Sequence, residues 1–191
     1  MVSDNVSAAA ERAFAVCVYC SASSLDPAQL ELAAQVGSEI GRRGWRLVSG
    51  GGNVSMMGAV ARAARAAGAH TIGVIPKHLV HKEMADVDAD ELIVTDTMRE
   101  RKQIMEDRAD AFLTLPGGIG TLEEFFEAWT GGYLGQHGKP VVVLDLDDHY
   151  RGLFAWIDEL YGRGFVGDQA MDWITVTKDF AEAFDALDPT F

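Results

Sequence analysis

Short apolar, β-branched runs recur along the chain at Phe14–Tyr19, Trp45–Val48, His70–Ile75, Glu91–Thr95, Ala111–Leu115, Pro140–Leu144 and Trp173–Val176, with amphipathic segments between most of them. Runs this short and this continuously apolar are strands buried on both faces, and helical segments between them are crossovers, which place helices on either side of a parallel sheet. The pattern predicts an α/β fold: a doubly wound, Rossmann-like, mainly parallel sheet of about seven strands with helices on both faces. Asp26-Pro27 supplies a cap and a first-turn proline for a helix over residues 28–43, which Gly44 closes. Residues 1–13 read as a loose N-terminal extension and 14–191 as one Rossmann-like domain, because no Pro/Ser-rich linker or internal repeat divides them. The longest stretch without a clear element, Lys77 to Asp90, is expected to be a mobile loop flanking the site.

In open α/β sheets ligands bind outside the carboxyl ends of the strands, so the strand-to-helix loops are where chemistry is expected. Two are glycine-rich. Ser49-Gly50-Gly51-Gly52-Asn53 follows the second strand, and Leu115-Pro116-Gly117-Gly118-Ile119-Gly120-Thr121 follows the fifth. Glycines at such a turn let backbone N–H groups approach an anion at a positive helix end. The spacing matches neither G-x-G-x-x-G nor the P-loop, which argues against a dinucleotide cofactor. Both loops fall on one sheet edge, so both are expected near one nucleotide, with Gly118, Gly120 and Thr121 holding its phosphate and Gly51, Gly52 and Asn53 forming a possible second loop. Thr121-Leu-Glu-Glu124 also has the spacing of a capping box with Thr121 as the cap. Alternatively, Glu124 is a carboxylate set beside a phosphate for a chemical task.

Thr97-Met-Arg-Glu-Arg-Lys-Gln-Ile-Met-Glu-Asp-Arg108 places four cations on one short helix. It reads either as a solvated face with its acidic neighbours or, since Arg99, Arg101 and Lys102 oppose the helix dipole in the first turns, as a place where an anion sits. Overall the chain is acidic, with 16 Lys+Arg against 29 Asp+Glu and a formal charge of -13. Such a field repels nucleic-acid polymers and anionic membranes but leaves a small anion free to bind in a local pocket. No apolar run has the length of a membrane span and no signal-peptide pattern opens the chain, so a cytoplasmic location is expected. Cys17 and Cys20 match C-x-x-C, yet they lie in and beside a strand where residues three apart point to opposite faces. The five histidines show no metal-ligand spacing, so no metal is expected, and no lysine stands where a cofactor imine would form, so no cofactor is expected. Trp129, Trp156 and Trp173 read as core or interface residues.

Gly117-Gly-Ile-Gly-Thr-Leu-Glu-Glu124, preceded by Pro116, resembles the P-G-G-x-G-T-x-x-E motif of the LOG ("Lonely guy") family, the cytokinin riboside 5'-monophosphate phosphoribohydrolases. Val18-Tyr-Cys-Ser-Ala-Ser23, Ser49-Gly-Gly-Gly-Asn-Val-Ser-Met-Met-Gly58 and Met98-Arg-Glu-Arg-Lys102 resemble three further family segments in the same order over nearly the whole chain. Ser55 and Met56 stand where Gly-Leu is usual, and Arg99 where His is common. The resemblance implies a homodimeric enzyme that cleaves the N-glycosidic bond of an adenosine 5'-monophosphate, often N6-prenylated, and uses no cofactor. It implies Glu124 and Arg101 as the catalytic pair, with Lys102 on the nucleotide. It further implies Gly117, Gly118, Ile119, Gly120 and Thr121 around the phosphate, and Glu83, Glu123 and Thr130 in the rest of the pocket. A nucleotide- or molybdenum-cofactor-binding module of the same fold is the alternative. The lysine decarboxylase label carried by many relatives is not supported, since that chemistry needs a lysine-bound pyridoxal phosphate. Phe125, Phe126, Trp129, Tyr133 and Leu134 give the helix after the motif more aromatic surface than one sheet face requires, and a dimer is expected there.

Overall fold

The computed structural model describes residues 13–188, so the N-terminal extension read over residues 1–13 lies, apart from Ala13, outside the described residues. The sheet strands are β1 (Ala15–Tyr19), β2 (Arg46–Ser49), β3 (Thr71–Pro76), β4 (Glu91–Thr95), β5 (Ala111–Thr114), β6 (Val141–Leu144) and β7 (Ile174–Thr177). Each agrees within one residue with a run read from the apolar pattern. The helices are α1 (Pro27–Arg42), α2 (Ser55–Ala66), α3 (Met98–Arg108), α4 (Ile119–Tyr133), α5 (Arg151–Gly162), α6 (Asp168–Met171) and α7 (Phe180–Leu187). The strand order is β4-β3-β2-β1-β5-β6-β7, and every pairing is parallel. The chain walks from β1 out to one edge, returns to β5 beside β1, and walks to the other edge. That reversal opens a crevice at the carboxyl ends of β1 and β5, the place where this class of sheet takes ligands.

Each sheet face carries its own apolar layer. Val16, Val18, Leu47 and Leu113 pack against Val36, Ile40, Val60 and Phe184 from α1, α2 and α7. On the opposite face Val48, Ile72, Phe112 and Val143 pack against Met105, Phe125, Trp129 and Ile157 from α3, α4 and α5. Cys20 belongs to the first layer and Cys17 to the second, and both are free thiols. Trp156, by contrast, is 54% exposed on α5. Among the described residues there is no group of His, Cys, Asp and Glu able to hold a metal ion, and no helix is long and apolar enough to cross a membrane.

The β3–β4 connection, expected to be mobile, is fastened to the body. Arg65 on α2 grips Asp86 through both terminal nitrogens at 2.7 and 3.1 Å, and the Asp86 N–H donates to the Gly51 carbonyl at 2.8 Å. Asp86 is 2% exposed, so this is a desolvated, two-pronged ion pair rather than a surface contact. It sets the height at which Leu79 and Glu83 stand over the sheet edge.

Candidate active site

Helix α4 starts earlier than the sequence suggests. Gly118 is its N-cap, in an extended conformation with no side-chain cap, and Thr121 lies inside the first turn. The capping box read at Thr121–Glu124 is therefore absent. One forms instead at α3, where the Thr97 hydroxyl accepts from the Glu100 N–H at 3.2 Å and Glu100 accepts from the Thr97 N–H at 3.1 Å. The reason is local: Gly117 lets Thr121 fold back against it, since a Cβ on Gly117 would lie 2.2 Å from the Thr121 hydroxyl. The outcome matters for binding, because the first amides of α4 have no intrahelical acceptor and no side chain covers them.

These amides open onto a cavity of about 280 Å³ at the switch point. Its lining combines Gly118, Ile119, Gly120, Thr121, Glu123 and Glu124 with Glu83 from the β3–β4 connection and Arg101 from α3. Cys20, Ser21, Ala22 and Ser23 after β1, together with Met57, Leu79 and Met98, complete it. Although Val18–Ser23, Ser49–Gly58 and Met98–Lys102 carry the family resemblance, no residue of this second set was assigned to the site from the sequence. Its signal is topological: residues after β1 meet residues after β5 only once those strands are known to be neighbours.

Arg101 is the buried cation of the site, 5% exposed. Its Nε donates to the Val74 carbonyl at 3.1 Å and its Nη2 to the Gly50 carbonyl at 3.0 Å. A planar fork held by two backbone carbonyls has one orientation, and the remaining charge is presented to Glu83 Oε2 at 3.8 Å and Glu124 Oε1 at 4.0 Å. Glycine is required beneath it, since a Cβ on Gly50 would fall 1.9 Å from Nη2. Burial pushes the Glu124 carboxyl up to about 7; Arg101 opposes this, and the charges of Glu123 and Glu83 add to it. Glu83 Oε2 is buried and accepts no hydrogen bond, which leaves an acceptor available inside the cavity.

The remaining residues named from the sequence sit elsewhere. Lys102 reaches Glu123 and, at 2.7 Å, Glu127 on α4, so in this state it ties α3 to α4 rather than lining the cavity. Thr130 lines a different cleft, with Phe126, Trp129, Tyr133 and Phe165. Gly51, Gly52 and Asn53 do not line the cavity either. Gly51 has φ +71°, Gly52 pairs with Ala85, and the Asn53 N–H donates to the Glu83 and Met84 carbonyls at 3.1 and 2.8 Å. The first glycine loop thus acts on the site indirectly: it underlies Arg101 and holds Glu83 in place. Ser55 adopts φ +51°, a left-handed conformation that explains why glycine is usual there. Its hydroxyl donates to the Ser24 carbonyl at 2.7 Å, a contact glycine lacks. Arg99 is exposed on α3 and makes none of these contacts.

Comparison with known proteins places this geometry in a family. A family model described as "Possible lysine decarboxylase" matches residues 57–187. The curated cytokinin riboside 5'-monophosphate phosphoribohydrolase of Mycobacterium tuberculosis is 59% identical over 92% of this chain and 94% of its own length. The Arabidopsis thaliana protein of that name designated LOG7 is 39% identical over 92% of this chain and 83% of its own. Among solved structures, the molybdenum cofactor binding protein of Rippkaea orientalis superposes with a TM-score of 0.67 at 27% identity, covering 87% of this chain and 90% of that one. The chain belongs to the LOG family, whose family model carries the decarboxylase description and whose curated members here carry the phosphoribohydrolase name.

Proposed function

We propose that this chain hydrolyses the N-glycosidic bond of adenosine 5'-monophosphate or its N6-prenylated forms, releasing the free base and ribose 5-phosphate. The observation that carries the reading is Glu124: a buried carboxyl with a raised pKa, 4.0 Å from a fixed arginine, in a cavity that the free amides of α4 also enter. Those amides and the helix dipole suit the 5'-phosphate. The orphan oxygen of Glu83 suits a ribose hydroxyl. When the bond between the sugar and the base nitrogen breaks, the electron pair leaves with the base and the sugar becomes oxocarbenium-like. The ionised Glu124 stabilises that charge and takes a proton from the attacking water, whose oxygen joins the anomeric carbon; the departing base takes up one proton from solvent at a ring nitrogen, and Glu124 returns its own to solvent, so the step balances. Two curated relatives carry the name cytokinin riboside 5'-monophosphate phosphoribohydrolase, which supports this reading.

No lysine lines the cavity, and Lys102 is occupied by two glutamates, so the decarboxylase description finds no imine-forming group there. The molybdenum-cofactor neighbours motivate a second reading, a carrier that binds without turnover. The pH dependence separates the two. With a Glu124 pKa of about 7, kcat/KM for AMP falls roughly tenfold per unit as the pH drops below about 7 and levels off above it. A flat profile from about pH 5 to about pH 8 contradicts the assigned role of the carboxylate, and retention of nucleotide without base release supports the carrier.

A homodimer belongs to the same proposal. Of the five side chains expected on the assembly face, Phe125 and Trp129 turn inward, and the Trp129 indole donates to the Ala170 carbonyl at 2.7 Å. Phe126, Tyr133 and the exposed Leu134 remain, beside Phe165, which is 71% exposed. Burying that surface in a second copy predicts a light-scattering mass near twice 20.7 kDa at micromolar concentration; a monomeric mass refutes it.

A further inference from the structure

The turn that precedes the α4 amides has all three of its carbonyls, those of Leu115, Pro116 and Gly117, occupied by donors from other segments. The Tyr150 hydroxyl donates to the Leu115 carbonyl at 2.9 Å, the Ser21 N–H to the Pro116 carbonyl at 3.2 Å, and His149 Nε2 to the Gly117 carbonyl at 2.9 Å. A carbonyl only accepts, so Nε2 carries the proton in the last contact. The β6–α5 connection that brings the imidazole there is itself fixed. The buried Asp145 carboxylate accepts from the N–H groups of His149 at 2.8 Å and Tyr150 at 3.0 Å, and the His149 ring stands edge-on to Tyr150 with centroids 4.6 Å apart.

In one trans peptide unit the carbonyl and the N–H that follows it point in opposite directions. Holding the Gly117 carbonyl toward His149, which does not line the cavity, turns the Gly118 N–H away from it, to the side where Gly118 does line the cavity. That N–H donates to no acceptor among the described residues. Gly118 and Gly120 carry no side chain and border open space, whereas Gly117 is packed against Thr121, so on the Gly118 side of this peptide hydrogen bonds set the orientation. We propose that His149 is a positioning residue for anion binding: by fixing the Gly117–Gly118 peptide it presents the Gly118 amide to the phosphate of the substrate. The inference rests on the phosphate lying at the start of α4, as the proposed function has it.

Two substitutions test it. His149→Ala removes the donor, whereas His149→Gln keeps an N–H at a similar reach. For the alanine variant KM for AMP and the calorimetric Kd for ribose 5-phosphate are expected to rise about fivefold to tenfold, while kcat stays within about twofold and inhibition by free adenine is unchanged. His149→Gln recovers most of the loss. His149 is exposed, so neither variant is expected to lose its fold. Unchanged ribose 5-phosphate affinity in His149→Ala overturns the inference, as does an equal loss for adenine, which marks general damage. If the unaltered protein releases no base yet binds ribose 5-phosphate, the hydrolase reading fails while the same titration still decides the role of His149.

Discussion

Glu124→Gln is expected to abolish base release, by about a thousandfold or more, while making the protein more stable at alkaline pH. Glutamine keeps the shape but can neither ionise nor take a proton from water. The stability gain follows from the raised pKa. Burial favours the protonated carboxyl in the folded state, so the folded protein holds this proton up to about pH 7, whereas the unfolded chain releases it near the ordinary glutamate value of 4.5. Stability therefore falls as pH rises through that window and is constant on either side of it. Converted at the usual rate per pKa unit, the penalty above the window is about 3 kcal/mol at most. Thermal melts of both proteins at about pH 5 and about pH 8 read it directly: the variant gains only at the higher pH. Equal melting temperatures at both values would mean that Glu124 is not desolvated, and full activity in the variant would remove it from the mechanism.

The second large effect is at Arg101. Arg101→Met is expected to lower kcat/KM by about a hundredfold to a thousandfold and to cost about 3 kcal/mol of stability. The cost arises because the Val74 and Gly50 carbonyls lose their donor and Glu83 and Glu124 lose the cation they share. Arg101→Lys is not expected to restore function, since a single ammonium cannot span both carbonyls and still face both carboxylates. The two roles of the arginine have distinct signatures. Denaturant titration reports the lost support, and the acid limb of the pH profile reports the electrostatics. Arg101 is the main influence holding the Glu124 carboxyl down, so its removal moves that limb to higher pH in whatever activity remains. A loss of stability with an unmoved limb would reduce Arg101 to a structural support.

The five inner strands were legible because buried parallel strands are short apolar runs bounded by loop residues; the edge strands β4 and β7 are only partly buried but keep enough β-branched residues to be read, and all seven are found within a residue of where the pattern puts them. What spacing does not carry is direction. Among the four cations of α3, only the fold shows that Arg101 turns under the sheet edge while Lys102 reaches across to α4 and Arg99 faces outward. The sequence places Thr121 three residues before Glu124, as a capping box would, but cannot show that Gly118 already caps the helix. The glycines after β2 were readable as a close approach of backbone. Their partner was not, because the chain segment they hold, around Glu83 and Asp86, carries no element pattern of its own. Ser21 and Ser23 entered the cavity through strand order, and the resemblance to the LOG family brought Glu83 and Arg101 into view before the fold showed why they meet.

The most direct test is chromatographic quantification of free base and ribose 5-phosphate after the pure protein is incubated with AMP and, separately, with isopentenyladenosine monophosphate, beside Glu124→Gln. The account predicts equimolar release of both products by the unaltered protein, with the rate ratio between the two nucleotides giving the preference for the prenyl group, and none by the variant. Nucleotide held in the cavity with neither product formed, or base release that persists without the Glu124 carboxylate, contradicts it.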